Sequence, residues 1–142
     1  MHWGGEAAWG LAAGVALALL VYWVVRGRSW RGRRRLFMWV VALTHLPYLA
    51  FALIWRPPAL GHEALILIPF LAAALAGGRW MPLLLGLGLA AHSLVDIFHP
   101  LQDGPAYAPH WYRWACISFD WLLGGYALWA LRDSSHSISS PR

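Results

Sequence analysis

Three ionisable residues, His92, Asp96 and His99, interrupt an otherwise apolar stretch of the chain. Their spacings of four and three positions place all of them on one face of a helix. An ionisable side chain costs about 2.5–3.5 kcal/mol at the centre of a membrane-spanning helix on insertion scales. Such residues persist where they pair, bind a metal or line a path. The stretch therefore predicts a functional polar site within an apolar helix.

Asp120 lies in the next apolar stretch, after a loop rich in proline and glycine. At about 1.5 Å of rise per helical residue, Asp120 and His92 lie at similar depths below that loop. We therefore expect His92, Asp96, His99 and Asp120 to hold one divalent metal, with Zn²⁺ favoured and Fe²⁺ or Mn²⁺ as alternatives. Asp96 could instead orient a histidine from outside the ligand shell. A protonated histidine beside each aspartate is the alternative that needs no metal.

Glu63 lies near the start of another apolar stretch, which enters from the same side. It is the candidate general base for water activated by the metal, and Asp96 is the second candidate catalytic residue. His45 reaches the same half of the bundle and is expected to make a hydrogen bond between helices. His62 and His110 are expected near the surface, in contact with water.

Five apolar stretches must position these residues, and each is long enough to cross about 30 Å as a helix. With 60% hydrophobic and only 12% charged residues, the chain is predicted to be an all-α, polytopic integral membrane bundle with one domain, residues 1–132. Residues 133–142 are predicted to be a disordered polar tail. Pro69 makes the third stretch the least certain, and a re-entrant loop is its alternative. The stretches are 7–25, 36–55, 60–78, 81–99 and 112–131.

All 11 basic residues are arginines, and six of them lie within residues 26–35. A run of this kind between two apolar stretches is typical of a loop on the cytoplasmic side. Placing it inside leaves only Arg56 and Arg113 outside, so the N-terminus is predicted outside and the C-terminus inside. The predicted location is the cell inner membrane, with the polar site facing the periplasmic half. The run is not interpreted as a nucleic-acid contact.

The C-terminal third resembles a set of small, uncharacterised bacterial integral membrane proteins. These carry His-x3-Asp-x2-His, a short loop and then Cys-x3-Asp, which correspond here to "HSLVDIFH" and "CISFD". Those proteins often have Trp before the Asp and a second His after the last one, where this chain has Val95 and Pro100. The resemblance implies that Cys116 shares the site of His92 and Asp120, but it brings no reaction with it. Cys116 is otherwise expected to pack as a small side chain.

The chemistry is also similar to that of membrane-embedded metal hydrolases of the ceramidase and progestin-receptor-like group. Our first hypothesis is therefore a metal-dependent hydrolase of a lipid-like or amphipathic substrate in the bilayer. The alternative is a non-enzymatic membrane protein, either a metal or proton transport accessory or a structural subunit of a complex. The sequence does not decide whether the chain is an enzyme, and a homo-oligomer remains open.

Overall fold

The computed structural model describes residues 3–98 and 107–132, which form helices joined by short connections. His99, the loop 100–106 and the polar tail 133–142 lie outside the described residues. No strand occurs in the part that is described, so the all-helical prediction is confirmed there. The six α-helices are α1 (Trp3–Arg26), α2 (Trp30–Leu43), α3 (Leu46–Trp55), α4 (Leu60–Arg79), α5 (Leu83–Phe98) and α6 (His110–Leu131).

Among the described residues, three segments are long and apolar enough to cross a membrane: Gly4–Arg26, Trp30–Trp55 and Pro57–Arg79. The described part of α5 is a shorter apolar helix of 16 residues. α6 has the length, at 22 residues, but Arg113 and Asp120 make it less apolar. Large aliphatic side chains cover the outside, where Leu65 and Leu75 are each 67% exposed. An apolar exterior around an interior that also holds polar groups is the arrangement that lipid favours.

The second apolar stretch is not one helix, because Thr44 and His45 form a turn between α2 and α3. Pro47 lies in the first turn of α3. Since proline has no N–H to donate, the helical bond that position 47 would make to residue 43 is missing. The turn leaves His45 at the junction of two half-helices, inside the bundle.

Pro69 has no such effect, contrary to the expectation that it interrupts the third stretch. α4 runs unbroken through it from Leu60 to Arg79. Bundled membrane helices tolerate proline because neighbouring groups compensate for the lost backbone bond. α4 is thus a single helix of membrane-spanning length, which favours a full span over a re-entrant loop.

α6 packs closely against two helices through glycines. A Cβ added at Gly14 of α1 would lie 2.1 Å from the carbonyl oxygen of Ala115. A Cβ at Gly86 of α5 would lie 2.9 Å from the carbonyl oxygen of Gly124. Small residues of this kind allow helix backbones to approach each other in membranes.

The arginine-rich segment begins α2, and Ser29 caps that helix by accepting a hydrogen bond from the backbone N–H of Gly32. Arg34 of α2 donates from Nε to the carbonyl oxygen of Gly77 on the neighbouring helix α4, 3.0 Å away. A cation is favourable beside the last carbonyls of a helix. The start of α2 and the end of α4 therefore lie at the same end of the bundle, opposite the polar site.

Candidate metal centre

The polar site lies between α5 and α6. His92 and Asp96 are one turn apart on α5, and Asp120 faces them from the middle of α6. Nδ1 of His92 lies 2.7 Å from Oδ2 of Asp120 and 3.4 Å from Oδ2 of Asp96. All three side chains are at most 1% exposed. The structure thus brings these three residues together, at the common depth that the sequence indicated.

A second buried pair, His45 and Glu63, extends this cluster across the bundle. Nδ1 of His45 lies 3.1 Å from Nε2 of His92. Nε2 of His45 lies 2.8 Å from Oε2 of Glu63, and both side chains are fully buried. The ionisable groups therefore form a line from Glu63 through the two imidazoles to Asp120.

Hydroxyl groups support the two aspartates from the junction of α2 and α3. Tyr48 donates to Oδ1 of Asp96 at 2.6 Å, and Thr44 donates to Oδ1 of Asp120 at 3.5 Å. Oδ2 of Asp96 is buried and makes no hydrogen bond within residues 3–98 and 107–132, and its contact with Nδ1 of His92 is long at 3.4 Å. A buried carboxylate oxygen without a donor is costly unless a cation or proton occupies its lone pairs.

The far end of the line meets Tyr107, which precedes α6 and donates to Oε1 of Glu63. Burial raises the pKa of Tyr107 above its ordinary value, and the neighbouring Glu63 raises it further. Tyr107 therefore stays protonated and remains a donor at neutral pH. The same tyrosine lines an open cavity of ≈ 340 Å³ together with Trp55, Ala108 and Pro109.

The line of contacts fixes how many protons it holds. The three contacts between Glu63, His45, His92 and Asp120 span 2.7–3.1 Å. Each needs one proton, because two lone pairs facing each other at these distances repel. Two neutral imidazoles supply only two protons. Without a metal, the line therefore needs one further proton, held by an imidazole or a carboxyl group.

A divalent cation removes that requirement. His92, Asp96 and Asp120 each offer one ligand atom, and these atoms all lie within 4.8 Å of one another. One imidazole nitrogen and two carboxylate oxygens are ligands that Zn²⁺, Fe²⁺ and Mn²⁺ accept. The two positive charges would offset both aspartates, and Oδ2 of Asp96 would gain a partner. The donor set therefore fits a divalent metal.

The other candidates fall in different places. Glu63 is buried as expected for a site residue, but two imidazoles separate it from the metal group. His62 is exposed, and His110 is half-buried with Nδ1 3.9 Å from a carboxylate oxygen of Glu6. Cys116 is buried, and it does not belong to the group of His92. His99, the fourth predicted ligand, lies outside the described residues.

Sequence reasoning missed Tyr48, Thr44 and the direct contact of His45 with His92. The available signal was weak. Thr44, His45 and Tyr48 fall within five positions of an apolar stretch, where polar groups are unusual. Their convergence depends on the turn between α2 and α3, which the apolar pattern does not reveal.

Comparisons with known proteins identify no relative. No protein-family model, curated protein or solved structure matches the chain. The resemblance of "HSLVDIFH" and "CISFD" to a set of small bacterial membrane proteins stays a prediction. Function must therefore be argued from the site.

Proposed function

We propose that the chain is a multi-pass membrane protein that binds one divalent transition metal and hydrolyses a lipid-like or amphipathic substrate. His92, Asp96 and Asp120 hold the metal in this proposal, and His99 is the fourth ligand. Zn²⁺ is the favoured ion. The observation that carries the proposal is the trio of buried ligand atoms within 4.8 Å, one of which makes no hydrogen bond within the part of the chain that the structure describes.

The chain's own residues have distinct tasks in this proposal. Asp96 and Asp120 supply negative charge, and the hydroxyls of Tyr48 and Thr44 hold their second oxygens. When bound, the metal would supply Lewis acidity and lower the pKa of a water ligand. Glu63, the candidate general base, lies two imidazoles away from the metal group. Because Nδ1 of His92 would be bound to the metal, that ring would pass no proton, and Glu63 would accept only from Nε2 of His45. Asp96 is kept as the candidate catalytic group beside the metal.

The proposed topology has five spans, an outside N-terminus and an inside C-terminus, in the cell inner membrane. The contact between Arg34 and Gly77 supports it, because it gathers the basic segment and the end of α4 at one end. Nine of the 11 arginines then lie inside. The polar site would face the periplasmic half, where Glu63 lies in the first turn of α4.

A second candidate function is non-enzymatic proton or metal handling. The observation that favours it is the unbroken series of polar contacts from Tyr107, at the rim of the ≈ 340 Å³ cavity, to Asp120. Chains of carboxylates and histidines inside membranes are typical of proton paths. The same residues serve both candidates, so the experiments must separate the binding of the metal from its use.

Elemental analysis of the purified protein tests the metal. We expect about one divalent ion per chain, because His92, Asp96 and Asp120 form a single candidate group within the described residues. Asp96→Ala should lose it, whereas Glu6→Gln should not, because the Glu6 side chain is 58% exposed. A protein that keeps its full thermal stability after chelation, and gains none from Zn²⁺, Fe²⁺ or Mn²⁺, would contradict the proposal and favour the His–Asp pairs.

The reaction is tested on the metal-loaded protein. A hydrolase should release acid from at least one amphipathic ester or amide, and that release should stop on chelation. Proteoliposomes loaded with a pH-sensitive dye test the second candidate under the same metal conditions. Proton flux in the absence of any hydrolysis would favour the transport accessory.

A further inference from the structure

The two nitrogens of His92 face different partners. Nδ1 points to the aspartates, 2.7 Å from Asp120, whereas Nε2 lies 3.1 Å from Nδ1 of His45. A neutral imidazole carries its proton on one nitrogen and a lone pair on the other. For Nδ1 of His92 to bind a metal, the ring proton must sit on Nε2 and be donated to His45.

This requirement passes along the line. His45 can accept at Nδ1 only if its own proton lies on Nε2, which is 2.8 Å from Oε2 of Glu63. Oε2 of Glu63 is the acceptor atom at that distance, and the other oxygen, Oε1, accepts from Tyr107. A carboxylate oxygen two imidazoles away from the metal group therefore selects the nitrogen of His92 that is free to bind.

Ring packing holds the imidazoles in these orientations. The ring of His45 stacks on Tyr48, with centroids 5.4 Å apart and planes inclined by 25°. The ring of His45 also stacks on Phe70, with centroids 6.0 Å apart and planes inclined by 21°. Phe70 also meets the ring of His92 edge-on, at 5.0 Å. Because aromatic side chains hold the rings of His45 and His92 in place, the position of the ring proton decides which nitrogen of His92 is free to bind a metal.

We infer that Glu63 and His45 are positioning residues that fix the tautomer of His92 for metal binding through Nδ1. The inference rests on the proposed metal site and deepens it. Hydrogen-bond partners of metal-bound histidines orient the ring and raise its basicity, and their loss typically weakens metal binding about 10–100-fold. Glu63 exerts this effect only through His45.

Titration of the purified, metal-free protein with Co²⁺, followed by its visible absorbance, measures the affinity. We expect Glu63→Leu and His45→Phe each to weaken Co²⁺ binding about 10–100-fold. Glu63→Gln keeps an acceptor oxygen and should restore most of the affinity. The Glu6→Gln variant on α1, with its exposed carboxylate, should match the unsubstituted protein.

The double variant tests the connection. In the His45→Phe background, Glu63→Leu should weaken binding by less than about twofold, since coupled residues are non-additive. A further full loss in that background would show that Glu63 acts by another route and would overturn the inference. A Glu63→Gln affinity as low as that of Glu63→Leu would overturn it as well.

Nitrogen NMR of ¹⁵N-histidine-labelled, Zn²⁺-loaded protein needs no variant that must fold. His92 should carry its proton on Nε2, and a proton on Nδ1 would overturn the inference. If the unsubstituted protein binds no Co²⁺, the proposed metal function fails together with the inference. If it binds Co²⁺ but the single variants bind equally well, only the inference fails.

Discussion

Helix α6 packs closely against α1 on one face and against α5 on another, and glycines make both contacts possible. Toward α1, Gly10 and Gly14 bring backbones so close that an added Cβ would meet carbonyl oxygens at 2.1–2.2 Å. Toward α5, Gly86 and Gly124 also allow the backbones to approach closely, and a Cβ added at Gly86 would lie 2.9 Å from the carbonyl oxygen of Gly124. Beyond that point, the α5 face changes to the contact of His92 with Asp120.

The difference shows what close approach is used for. On the α1 face it yields packing, with Ser118 donating to the carbonyl oxygen of Leu11 at 3.1 Å. On the α5 face, close approach of the helices accompanies the contact of the His92 imidazole with two carboxylates, those of Asp96 and Asp120. Buried ionisable groups tolerate little positional freedom, because each lost contact leaves a charge unpaired. The glycines of α5 and α6 therefore serve the site as well as the fold.

The largest expected effect lies on the α5 face. Asp120→Asn keeps the side-chain shape but removes the charge that faces His92, and breaking a buried pair typically costs about 3–5 kcal/mol. The free energy of unfolding in mixed micelles should fall by that order, and metal content should fall with it. Glu6→Gln, at an exposed site, is the control. Unchanged stability and metal content in Asp120→Asn would remove the main support for a shared site.

An intermediate effect is expected on the α1 face. Gly14→Ala places a methyl group 2.1 Å from a backbone oxygen, and overpacking typically costs about 1–3 kcal/mol. Gly125→Ala is the matched control, because nothing lies within 4 Å of its added Cβ. It should be neutral or stabilising by up to about 1 kcal/mol, through helix propensity. Equal stability of the two variants in the same unfolding assay would contradict the close contact.

The smallest effect belongs to a single hydroxyl. Ser118→Ala removes a hydroxyl that contacts the carbonyl oxygen of Leu11 on α1 and also carbonyl oxygens of its own helix. Hydrogen bonds between membrane helices average about 0.6 kcal/mol. Ser93→Ala is the control, since Ser93 donates to Ala90 on its own helix at 2.6 Å. A larger loss in Ser118→Ala than in Asp120→Asn would reverse the order of the two faces.

Much of the site was predictable because a helix has a fixed rise per residue, so the position of a residue in the sequence gives its depth along the helix. The spacing of His92 and Asp96 gave their common face, and the rise per residue gave the level of Asp120. The burial of Glu63 also agrees with its assignment to the site.

The rest was unpredictable because it depends on the break between α2 and α3. Pro47 and Pro69 look alike in sequence, yet one lies beside a turn and the other lies inside a continuous helix. The break is what brings His45 to His92 and Tyr48 to Asp96. Propensity alone does not reveal whether neighbouring helices will compensate a proline.

The pairing of α1 with α6 also constrains the order in which the protein is assembled. Ser118 and Leu11 are separated by 107 positions, so α1 emerges from the ribosome long before its partner exists. Until α6 is inserted, the glycine surface of α1 must rest against lipid or the insertion machinery. Arg34 likewise waits for Gly77, 43 positions later. Synthesis interrupted before α6 would therefore leave an early helix without its partner, a substrate for membrane quality control.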